Sequence, residues 1–145
     1  MLYNAEIITA SKLYEFEGFI TIKLDNELLY VSYQAPYEFA IEYIHINEKI
    51  PVDIWLLDGK AKIMNIPSKQ HPNNPKIAGG IIEGQVKAVF SSQEFRIDSG
   101  LLEIDIGNDE PIELRENDFI ETSGTYQIFF PGTEWSKEEC WGEVK

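Results

Sequence analysis

The chain has 145 residues, 43% hydrophobic and 26% charged, a composition of one folded domain that excludes general disorder. At this length a core hides roughly two-thirds of the unfolded surface without a disulfide or metal staple. A formal charge of −13 repels phosphate backbones and anionic lipid heads, so neither nucleic acid nor a membrane is an expected partner.

The first residues, Met1-Leu2-Tyr3-Asn4-Ala5-Glu6, show no basic start or long apolar run of a signal peptide. No apolar stretch approaches the ~20 residues that cross a bilayer. Cys140 is the single cysteine, and its neighbours Glu138 and Glu139 raise a thiol's pKa and make it a poor nucleophile. These features point to a cytoplasmic protein.

Ile20-Thr21-Ile22-Lys23-Leu24 alternates apolar and polar residues, as a strand with one buried face does. Asp25-Asn26 signals a turn, and Leu28 to Tyr33 follows as the partner strand. Residues 36–45 fit two descriptions. Pro36 with Tyr37, Ala40, Ile41 and Ile44 has helical spacing, while Tyr37, Phe39, Ile41 and Tyr43 would share one strand face. Val52 to Leu57 then meets Asp58-Gly59, a strong hairpin dipeptide, and Ala61 to Ile66 is expected to return beside it.

Residues 68–80 read as a linker, because Pro72 and Pro75 bar ladder pairing and Gly79-Gly80 permit positive φ. It would either join two halves, 1–67 and 81–132, or cross a single domain of residues 1–145; one continuous core is the preferred reading. Charge shifts at this point: residues 1–72 carry 6 basic and 10 acidic side chains, residues 73–145 carry 6 and 15. Beyond the linker, strands are expected at Gln85 to Phe90, Glu94 to Ile97, Leu101 to Ile106, Phe119 to Ser123 and Thr125 to Phe130. About ten short strands with frequent turns predict an all-β fold, an antiparallel barrel or sandwich. Three strands, a possible helix and a hairpin before the linker also suit an oligonucleotide/oligosaccharide-binding (OB-like) barrel, an analogy of fold that licenses no function.

Candidate chemistry is sparse. His45, His71 and Cys140 cannot make a zinc tetrad, and no metal or cofactor is expected. Asp105-Ile106-Gly107-Asn108-Asp109-Glu110 gathers hard oxygens near a glycine but lacks the spaced frame of a calcium loop, and reads as a solvated turn. Glu103 and Asp105 share one strand face, which is read as the wet side opposite Leu102, Ile104 and Ile106. No nucleophile elbow, Walker loop or dinucleotide turn occurs, and no catalytic residue is assigned.

Aromatics are abundant, with 7 Tyr, 8 Phe and 3 Trp. Tyr30, Tyr33 and Tyr37 are candidate ligand-facing rings, with cross-strand packing as the plainer role. The tail, residues 133–145, sets Trp135 and Trp141 among four glutamates and is a candidate interface, or else a flap closing one end of the fold. The expected function is therefore a non-catalytic, acidic protein-interaction module, binding another protein, plausibly a basic one, or a second copy of itself. The alternative is a small-ligand barrel or carboxylate-dependent enzyme with an aromatic-lined pocket.

Overall fold

The computed structural model describes residues 2–13, 17–35, 42, 44–71, 77–100 and 102–130. Nine strands form in them: β1 (Leu2–Leu13), β2 (Glu17–Leu24), β3 (Glu27–Gln34), β4 (Lys49–Gly59), β5 (Lys62–Ile63), β6 (Gly79–Val89), β7 (Glu94–Asp98), β8 (Glu103–Asn108) and β9 (Phe119–Phe129). The ladder order is β3-β2-β1-β4-β8-β7-β6-β9-β5, and a further β3–β9 pairing joins the first strand to the eighth. The fold is all-β and of the barrel class.

Pairing is mixed, which corrects the expectation of a purely antiparallel sheet. β4 runs parallel to β8 through Trp55↔Asp105 and Leu56↔Ile106, and β3 runs parallel to β9 through Ser32↔Gln127 and Tyr33↔Ile128. Both parallel contacts join strands far apart in the sequence. Turn dipeptides report only on neighbours in the chain, and the predicted neighbours β2–β3, β6–β7 and β7–β8 are indeed antiparallel hairpin pairs.

Two compact units emerge, one from the described residues of 2–54, 75–78 and 127–145, the other from those of 55–74 and 79–126. In the first, alternation along β2 and β3 buries Ile20, Ile22, Leu29, Val31 and Tyr33, and β4 adds Val52 and Ile54. Asp25, at φ 51°, makes the predicted turn between β2 and β3. In the second, Leu56, Ile82, Val86, Phe95, Ile97, Ile104, Ile106 and Ile120 are buried. Each such side chain contributes about 1.5–3 kcal/mol through removal from water.

Two glycines correct the predicted strand breaks. The expected hairpin at Asp58-Gly59 does not form, because β5 pairs with β9 (Lys62↔Glu121, Ile63↔Ile120) and not with β4. Asp58 does take a positive φ of 58°, but Gly59 does not, and a two-residue I′ turn needs both. The distortion is a bulge: β4 carries on to pair Gly59 with Asn108 after a register shift beyond Leu56. Ser123-Gly124, read as a break, lies inside the continuous β9. A Cβ at Gly124 would meet the Leu57 carbonyl oxygen at 2.5 Å, so this glycine admits a close backbone approach.

The predicted linker is partly built into the second unit. Gln70 and Glu83 exchange backbone hydrogen bonds of 2.8 and 2.7 Å, Ser68 Oγ donates to the Glu83 carboxylate, and Lys69 Nζ pairs with Asp98 Oδ2 at 2.9 Å. Gly79 and Gly80 take the positive φ their sequence permits, 130° and 137°, and open β6. Of the ambiguous stretch 36–45, only Glu42, Ile44 and His45 are among the described residues, and the tail 133–145 lies outside them.

Candidate functional site

The most developed surface feature lies in the second unit. Its foundation is β8, whose side chains alternate: Ile104, Ile106 and Asn108 point to one face, Glu103 and Asp105 to the other. Two different arrangements result from this alternation.

On the face of Asp105, a charged row crosses three strands. Trp55, Asp105 and Arg96 occupy matched register positions on β4, β8 and β7. Arg96 Nε donates to Asp105 Oδ1 at 2.7 Å, with a longer second contact of 3.4 Å from Nη2 to Oδ2. The Asp105 side chain is 6% exposed and that of Arg96 32%. The guanidinium also lies 5.3 Å from the centre of the Phe90 ring, a cation–π distance. The sequence reading of Asp105 as a solvent-facing carboxylate is therefore corrected: it is buried and held by a charge-assisted pair. The signal was present in the register. Once β7 ends at Asp98 and β8 begins at Glu103, counting outward from Asp98↔Glu103 sets Arg96 against Asp105.

On the other side, Asn108 is a buried organiser. Its Oδ1 accepts from the Ala61 backbone N–H at 2.8 Å, and its Nδ2 donates to the Glu110 carbonyl at 2.7 Å. The Asp109 N–H donates to the Gly59 carbonyl at 2.9 Å, so the segments 59–61 and 108–111 are tied together twice. The turn after β6 is tied in as well: Asn108 N–H to the Gln93 carbonyl at 2.7 Å, Gln93 Nε2 to the Asp109 carbonyl at 3.0 Å, and Ile112 N–H to the Ser92 carbonyl at 2.8 Å. These bonds frame a recess of about 440 Å³ lined by Gly59, Lys60, Ala61, Asn108, Asp109, Glu110 and Pro111. The Asn108 side-chain amide is consumed by the frame, whereas Asp109 and Glu110 are exposed. Sequence reading weighed this segment as a calcium-like loop and preferred a solvated turn. The structure divides its oxygen ligands, since Asp105 and Asn108 point to opposite faces. Among the described residues no three His, Cys, Asp or Glu side chains gather to hold a metal ion.

The candidate aromatics fall as follows. Tyr30 is half-buried and packs beside Phe19 with ring centres 5.6 Å apart. Tyr33 is fully buried, three residues on and thus on the opposite face of β3, with its ring edge to Phe130 at 6.1 Å. Tyr37, Trp135 and Trp141 lie outside the described residues. Among the described residues, titration is clearly perturbed at two places. Hydrogen bonds from Lys69 and from the Gly100 N–H hold the Asp98 carboxyl below its ordinary value, and burial pushes the Tyr126 hydroxyl well above the tyrosine range. No helix among the described residues is long and apolar enough to cross a membrane.

No protein-family model, curated protein or solved structure matches this chain.

Proposed function

We propose that this is a non-catalytic, acidic protein-interaction module that binds another protein, plausibly a basic one, or a second copy of itself. One observation carries the reading: a chain of charge −13 leaves nine large hydrophobic side chains exposed among its described residues, Phe90 and Ile66 with them. Charge would steer a basic partner and suppress like-charged ones, and the apolar groups would hold the encounter. A cytoplasmic setting belongs to this proposal, supported by the lone Cys140, which needs no oxidising compartment. Sedimentation velocity on the full chain, over a concentration series at low and high salt, tests the self-associating form. Binding of a lysine-rich peptide that weakens with salt tests the other. If the chain stays monomeric and no basic peptide binds at low salt, the reading fails.

A second reading, a small-ligand barrel, has one observation in its favour. Gln127 is buried, its Oε1 accepts from Ser32 Oγ at 2.8 Å, and its Nε2 finds no acceptor among the described residues. A buried amide donor left over is what a polar ligand group would complete. A thermal-shift screen of small carboxylates and sugars on the full chain tests it.

A further inference from the structure

We infer that the outward face of β2, β3 and the end of β9 binds an uncharged saccharide, whose ring lies against Phe19 and Tyr30 and one of whose oxygens accepts from Gln127 Nε2. This rests on the small-ligand reading of Gln127 and names its ligand class; it does not depend on the protein-interaction reading.

Alternation and register put these groups on one face. Ile20, Ile22, Leu29, Val31 and Tyr33 point to the core, so Phe19 and Thr21 on β2 share the opposite face with Tyr30 and Ser32 on β3, and all four are half-buried. Phe19 stands opposite Ser32 and Thr21 opposite Tyr30, and on the other edge of β3 Ser32 stands opposite Gln127. The 2.8 Å bond from Ser32 Oγ to Gln127 Oε1 fixes Gln127 on this same face. Phe19, Ser32 and Gln127 therefore form one row across three strands, and the Tyr30 ring lies 5.6 Å from that of Phe19.

Gln127 supplies the pointer to a ligand. The residue is only 8% exposed, its Oε1 is occupied by Ser32, and its Nε2 is buried with no acceptor among the described residues. A dehydrated, unpaired donor is costly, and a ligand oxygen placed beside it removes that cost. The neighbouring groups select the chemistry. Two rings, two hydroxyls and one amide stand together with no ionised side chain among them, in a chain of which 26% is charged. Nothing in that set would hold a phosphate or carboxylate against a net charge of −13. A saccharide matches both parts of the face: its C–H side packs on aromatic rings, and its hydroxyl and ring oxygens pair with hydroxyl and amide groups.

The experiment adds maltotriose, cellotriose and chitotriose in turn to the full chain and follows its proton–nitrogen correlation spectrum. The Gln127 side-chain amide is assigned by its loss in Gln127→Met. At least one saccharide shifts that amide, and both Gln127→Met and the double variant Phe19→Leu/Tyr30→Leu weaken its binding about tenfold or more. Phe90→Leu removes an exposed ring from the other unit and changes binding less than about twofold. Thermal unfolding checks that each variant is folded, and where Gln127→Met is not, the ring variant decides. A saccharide that binds the wild type and both variants equally overturns this site while leaving the small-ligand reading standing. Uridine shifting the same amide as strongly overturns the ligand class, since the face would then be reading a flat ring. No shift with any of the saccharides overturns the inference outright, and the small carboxylates of the thermal-shift screen then decide the small-ligand reading by themselves.

Discussion

The ring of Tyr33 lies over Gly18, its direct partner in the β2–β3 ladder. Glycine weakens a strand because it has no side chain to pack, and a neighbouring aromatic can supply the missing cover. Here the ring's outer carbons and hydroxyl fill the space where a Cβ would stand. Gly18→Ala is therefore expected to destabilise the protein by about 1–3 kcal/mol through overpacking. In a Tyr33→Leu background the obstruction is gone and the same substitution should cost less than half as much. Urea unfolding of the four proteins closes the cycle, and equal costs in both backgrounds would show that the ring does not exclude the methyl group.

The Arg96–Asp105 pair makes an asymmetric prediction. Removing the arginine leaves a nearly buried carboxylate without its charged donor, whereas removing the carboxylate leaves an arginine already a third exposed and free to turn to water. Arg96→Met should cost about 2–4 kcal/mol and Asp105→Asn about 1 kcal/mol or less, by chemical denaturation. The Arg96 substitution should also loosen Phe90, seen as faster hydrogen exchange of the Phe90 and Ser91 amides that bond to Glu94. Equal costs for the two substitutions would mean that the pair is effectively solvated.

The fold was legible where structure is local. Alternation at Ile20 to Leu24 and the Asp25-Asn26 turn gave β2 and β3, and β7 and β8 lie close to their predicted spans, whereas β6 begins at Gly79, six residues before the expected Gln85. What the sequence hid was non-local. Asp58-Gly59 and Ser123-Gly124 each look like turns in isolation, but one forms a bulge beside β8 and the other lets two backbones approach. A glycine needed for space and one needed for positive φ are indistinguishable until the neighbouring strand is known. The candidate surface was hidden for the same reason. Gly59, Gln93 and Asp109 are brought together by hydrogen bonds between three segments, and no spacing rule connects them.

The Lys69–Asp98 contact predicts an acid-side response. Lys69 and the Gly100 N–H hold the Asp98 carboxyl below its ordinary value of 3.8, so the folded state binds the proton less readily than the unfolded chain. That contribution is fully present above the ordinary carboxylate range and is lost as pH falls through the lowered pKa. Lys69→Met should raise the Asp98 pKa toward the ordinary value and narrow the stability difference between neutral and acid pH. Carbon-detected NMR titration of the carboxyl reads this directly. An unmoved Asp98 titration would show that the Gly100 amide suffices to hold it.

Tyr126 predicts the opposite limit. The side chain is buried in the second unit and its pKa is raised by removal from water, so the folded state retains a proton that the unfolded chain releases. Stability from this group is intact below the ordinary tyrosine pKa and falls as pH rises beyond it, by about 1.4 kcal/mol for each further unit. Tyr126 should ionise only with unfolding. Phenolate absorbance and far-ultraviolet circular dichroism, followed in one alkaline titration, should therefore share a cooperative step. Tyr126→Phe removes the linkage, so its unfolding midpoint should move to higher pH and the absorbance step should shrink by one tyrosine. An unchanged midpoint would mean that other groups drive alkaline unfolding and that burial of the Tyr126 hydroxyl is energetically silent there.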